Sequence, residues 1–106
     1  MELPELNALK AHLVAALDEC FPSHSQRVSV DYPDSPNPLC FFEVDGRCFA
    51  QGSFWANNEY RIEAMNTQEG TEIINETGMV TSLAEAITVI HRFCDLAKAS
   101  PESPLS

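Results

Sequence analysis

His91 and Cys94 stand three residues apart in TVIHRFCDLAKA, a spacing that brings an imidazole and a thiol to one side of a helix. A thiolate beside a base is a nucleophile, so this pair offers the most direct route to covalent chemistry. Cys94 falls on the apolar stripe of that helix, however, where burial raises a thiol's pKa and makes it a poor nucleophile. The pair is therefore read as one core and one surface residue, and no catalytic residue is assigned.

Other chemistries fail on residue type or spacing. Cys20, Cys40, Cys48 and Cys94 contain no CxxC pair, and His12, His24 and His91 are scattered, so neither a metal ligand set nor a disulfide framework is read. There is no GxGxxG, GxxxxGK or GxSxG, which leaves no phosphate cradle, no nucleotide cofactor and no nucleophile elbow. Glu43 with Asp45 and Glu72 with Glu76 have the spacing of acid–base pairs, but acid is so abundant here that a solvated face accounts for them. Asn75-Glu76-Thr77 matches a glycosylation acceptor, a pattern with meaning only in a secreted chain.

Sixteen acids against six bases give a formal charge of −10, a field that repels phosphate backbones and anionic lipid. Nucleic acid and membrane are thus poor partners, and a basic protein is a good one. The opening MELPELNALKAHLVAALDECF lacks a basic n-region, and no run approaches the ~18 apolar residues of a membrane span, so a cytoplasmic location is expected. At 106 residues and 44 % hydrophobic content the chain can bury one core without staples.

The elements that must position any site follow from periodicity. Leu6, Leu9, Leu13, Leu17 and Cys20 form one stripe of a helix over residues 4–21, with Pro4 in its first turn and Pro22 stopping it. Residues 27–32 alternate as a strand, and LCFFEVDGRCFAQGSFW reads as a hairpin closed by a type I′ turn at Asp45-Gly46. That turn puts Phe42 opposite Phe49, and places Phe49 and Trp55 with Cys40, Phe42 and Val44 on one face. Cys48, Phe41 and Phe54 fall on the other, so Trp55 is expected in the core or at its edge, and Cys40 and Cys48 apart. EYRIEAMN alternates as a further strand, Gly70 suits a left-handed turn position, and TEIINETGMV follows as a weaker strand.

Ser82 and Glu85 have capping-box spacing at the start of the last helix, whose inner stripe is Leu83, Ile87, Ile90, Cys94 and Ala97, widened by Val89, Phe93 and Leu96. The predicted fold is α+β: an N-terminal helix, an antiparallel meander of four or five strands and a C-terminal helix, with both helices on one sheet face. Residues 1–98 form one domain, and 99–106, rich in serine and proline, form a disordered tail.

Between Glu59 and Glu85 the only base is Arg61, against Glu59, Glu63, Glu69, Glu72, Glu76 and Glu85. An acidic strip on the last two strands, beside an aromatic, has the composition of a protein interface. Glu59, Arg61, Glu63, Glu69, Glu72 and Glu76 are accordingly the candidate partner-binding residues.

The run GRCFAQGSFWANNEYRIEAMNTQEGTEIINETGMVTSLAEAITVIHRF resembles bacterial immunity proteins of the TriTu family. The resemblance rests on a strand ending in Trp55, the turn Asn57-Asn58, the strand Tyr60-Arg61-Ile62-Glu63, a turn closed by Gly70, and the capped helix at Ser82-Leu83-Ala84-Glu85. It implies a protein that binds and neutralises a cognate toxin of a polymorphic toxin system; with the chemistry found wanting above, a non-enzymatic protein without cofactor or metal is expected. The alternative of a different class is a small acidic secretion-type chaperone that dimerises through its last helix and holds a client segment.

Overall fold

The computed structural model describes residues 1–99. Helix α1 (Leu3–Cys20) is followed by strands β1 (Ser25–Asp31), β2 (Leu39–Asp45), β3 (Cys48–Trp55), β4 (Glu59–Asn66) and β5 (Thr71–Met79), then by helix α2 (Leu83–Ala99). The strands form one antiparallel sheet in chain order, the expected meander, with five strands. Ala99, placed in the tail by sequence, is the last residue of α2, and positions 100–106 lie outside the described residues.

Both helices cover the same sheet face. Leu6, Leu9, Leu13 and Leu17 of α1 are fully buried, as their spacing requires, and α1 packs on β1, β2 and α2. The stripe of α2 is rotated from expectation: Ala86, Ile90, Phe93 and Cys94 are buried, while Leu83, Ile87 and Ala97 are only partly covered. Phe93 causes the rotation, because its ring packs against both Phe21 and Phe42, at centroid distances of 5.9 and 5.6 Å. Ser82 caps α2 by accepting from Glu85 N–H at 3.2 Å, and the Glu85 carboxylate reaches back to the N–H and hydroxyl of Thr81.

The β2–β3 hairpin departs from the predicted register, and the departure reverses a face. Phe42 pairs with Gly52, Val44 with Ala50, and Cys40 with Phe54, so the loop is centred on Arg47 and not on Asp45-Gly46. Gly70, at φ 68°, is the only glycine with positive φ among the described residues, so no type I′ turn exists at Gly46. Gly46 is bare for another reason: a Cβ there would come within 2.5 Å of the His24 ring. That ring accepts a hydrogen bond at Nε2 from the Cys48 N–H at 3.2 Å. Thr67 Oγ1 lies 2.9 Å from both the Gly46 and Arg47 carbonyls and ties this loop to the β4–β5 turn.

Because the register slips by an odd number of residues, every β3 side chain changes sides. Phe54, Gly52 and Ala50 face the helices with Phe42 and Val44, whereas Phe49 and Trp55 face away from them, correcting the expectation that these two share the face of Phe42. Cys48 also moves to the helix side with Cys40. The two sit at opposite ends of the hairpin, Cys48 beside Asn66 and Cys40 beside Phe54, and all four cysteines are free.

Gly52 is required where it stands, since a Cβ would run into the Phe42 ring. Gly52→Ala is expected to lower stability by about 1–3 kcal/mol through overpacking. In a Phe42→Leu background the same substitution should cost distinctly less, a coupling that urea unfolding of the four variants measures.

Candidate functional site

The helix-free face of the sheet gathers two apolar poles around a polar band. Across its middle run Arg27, Glu43, Gln51, Glu63 and Asn75, paired in register from β1 to β5. Arg27 lies 3.9 Å from the Glu43 carboxylate and stacks over Phe41 at 5.1 Å. Glu63 accepts from Gln51 Nε2 at 2.5 Å and from Arg61 Nη2 at 3.3 Å, which fixes its carboxylate in place.

One pole holds Trp55, paired with Leu39, together with Met79, which is 64 % exposed. Trp55, Glu59, Arg61, Thr77 and Met79 line a shallow depression there. The other pole holds Phe49 paired with Met65, 39 % exposed, beside Glu72 and Asn75 in a cavity of about 340 Å³. A third depression of about 220 Å³ joins them through Phe41, Ser53, Trp55, Arg61 and Glu63. Both poles are wide, shallow and open, a shape suited to a protein surface more than to a small molecule.

The candidate residues divide. Glu59, Arg61 and Glu63 alternate with the buried Tyr60 and Ile62 and lie together on the open face. Glu72 joins them, because the β5 irregularity opposite Ala64 and Met65 pairs it with Met65. Glu69 stands exposed in the adjoining turn, where the Asn66 side-chain oxygen accepts from the Gln68 and Glu69 N–H groups. Glu76 lies apart from the others: it pairs with Ile62 and is on the helix side of the sheet. There it accepts from the Tyr60 hydroxyl at 2.5 Å and from both terminal nitrogens of Arg92 on α2, the Nη1 contact being 2.8 Å. Glu85 is occupied at the α2 cap.

Phe41, Phe49, Glu43 and Asp45 belong to the open face although sequence reasoning did not select them. Parity carried the missing signal: Gln51 and Ser53 alternate in step with Phe49 and Trp55, and Glu43 and Asp45 alternate in step with Phe41, so polar neighbours marked the outer side.

His91 and Cys94 do not act as a pair. Cys94 is buried, and burial pushes its thiol up to about 12, while His91 is exposed and its Nε2 lies 3.1 Å from that of His12. Burial likewise lifts Cys40 to about 12 and Cys48 to about 11. Among the described residues no group of three or more His, Cys, Asp or Glu is placed to hold a metal ion, and no helix is long and apolar enough to cross a membrane.

The described residues thus form an α+β domain with one sheet face covered by helices and no helix on the other. Neither a family model, nor a curated protein, nor a solved structure matches the chain.

The Arg92 guanidinium and the Tyr60 hydroxyl hold the Glu76 carboxyl below its ordinary value. A depressed folded-state pKa stabilises the fold fully above the ordinary carboxyl range, and that contribution disappears as pH falls through the depressed value. At about pH 7, Glu76→Gln should lower the melting temperature by about 5 °C, equivalent to about 1 kcal/mol. The gap from the parent should narrow as pH falls below the ordinary carboxyl range, which thermal melts of both chains from neutral to acidic pH would reveal.

Proposed function

We propose that this chain is a non-enzymatic binding protein of immunity type, acting in the cytoplasm, whose open sheet face occludes a basic toxin domain. The observation that carries the reading is the position of Phe49 and Trp55 on the helix-free face, each beside an exposed methionine and acidic side chains. Aromatic side chains supply contact area at small cost in rotamer entropy, and a surrounding acidic field steers a cationic partner. Asp31, Glu43, Asp45, Glu59, Glu63 and Glu72 surround the poles, with Arg27 and Arg61 as the basic residues of the same face. Arg61 and Glu63 hold each other, which presents one fixed carboxylate and one fixed guanidinium to a partner.

The resemblance to TriTu immunity proteins supports the same reading. The chaperone alternative draws less support: of the three residues that widen the apolar stripe of α2, Phe93 is in the core and Val89 is partly covered, which leaves Leu96, 41 % exposed, as the main apolar surface for a dimer.

Co-expression with the product of the neighbouring gene should give a complex and protect the cell from it; absence of both would sink the reading. Trp55→Ala and Glu63→Lys should leave the melting temperature within a few degrees and weaken the complex at least about tenfold. Glu76→Lys should instead unsettle the fold, since its partners are Tyr60 and Arg92. If Trp55→Ala unfolds the chain, the open-face assignment fails.

A further inference from the structure

His12 on α1 and His91 on α2 meet between the two helices, 79 positions apart in the chain. Their Nε2 atoms are 3.1 Å apart, and the rings meet edge to face at a centroid distance of 5.1 Å and an angle of 72°. Between neutral rings one Nε2 carries the proton and donates to the lone pair of the other. The spacing does not depend on that one bond: Leu9 and Leu13 on α1, and Ile90 and Cys94 on α2, are buried alongside and fix the two helices against each other.

We propose that His12 and His91 form a two-histidine chelate for a divalent late transition metal, clamping α1 to α2. Two imidazole nitrogens on a tetrahedral zinc, each at about 2.0–2.1 Å, lie about 3.3 Å apart, so the observed pair needs to open by only a few tenths of an ångström. Imidazole selects zinc, copper or nickel over the hard cations magnesium and calcium. The ring that donates through Nε2 moves its proton to Nδ1, both Nε2 lone pairs then face the ion, and no proton is released.

The surroundings favour a cation. The chain carries a net charge of −10, and Asp95 stands one turn beyond His91 on the same helix. Arg92, next to His91 in sequence, is directed to Glu76 on β5. His91 is exposed and His12 half-buried, so solvent reaches the pair. With two protein ligands, water completes the coordination sphere, and the site stays open to a further donor.

Isothermal titration of zinc chloride into the reduced, chelator-treated chain tests this. The parent should bind one zinc; His12→Ala and His91→Ala should each weaken binding at least about tenfold, as loss of one of two ligands requires. His12→Gln and His91→Gln keep a polar side chain at the helix junction, should fold as the parent does, and should show the same loss. Zinc should also raise the unfolding midpoint of the parent and leave that of the double glutamine variant unmoved. Stoichiometric zinc binding that survives in the double variant would move the ion to the thiols and overturn the proposal, as would absence of a one-to-one site in the parent.

Discussion

The pairing of Phe42 with Gly52 decides the face of every side chain in the sheet. The Phe42 ring occupies the space a Cβ at Gly52 would fill, and it also meets Phe93 from α2. The strand on which Gly52 lies is thereby locked in register, and with it the alternation of β4 and β5, because each strand takes its parity from its neighbour. The same arrangement recurs at the far edge, where Gly78 makes room for the Tyr60 ring, which stacks on Phe54 at 5.7 Å. Missing side chains on β3 and β5 are thus matched to aromatic rings on β2 and β4, and the core is filled across strands.

Local pattern made much of this fold legible. The four leucines of α1, the Ser82–Glu85 cap, the left-handed Gly70 and the order of the strands all depend on residues a few positions apart. The hairpin register was not legible in the same way. Asp45-Gly46 is a strong turn signal by itself, but the loop is set by His24 from the preceding connection and by Thr67 from a later turn, contacts across about twenty positions of sequence. The site inherited that difficulty. Alternation within one strand sets Glu59, Arg61 and Glu63 on one side, whereas the side of Trp55 follows the hairpin register and that of Glu76 the pairing of β5 with β4.

The acidic residues do two kinds of work. Glu5 and Glu85 accept backbone N–H groups at helix starts, and Glu76 fastens α2 to β5 through Arg92 while receiving the Tyr60 hydroxyl. Glu59, Glu63 and Glu72 remain on the bare face with Glu43 and Asp45. Excess charge alone would have marked all of them as surface. Sorting them needs the sheet, because in β5 the structural Glu76 and the exposed Glu72 are separated by an irregularity that no spacing rule announces.

The order of elements also shapes how the molecule is made. The first and last elements, α1 and α2, lie side by side on one face, and Phe93 near the end fills the gap between Phe21 and Phe42. During synthesis the five strands leave the ribosome after α1 and before α2, so Phe42 and Phe21 stay partly wet on the side that Phe93 fills until α2 emerges. The nascent meander therefore passes through a stage with sticky surface on both sides, the unfinished core on one and Trp55, Phe49 and Met65 on the other. A binding partner that meets the chain early could be engaged by the second of these before the first has closed.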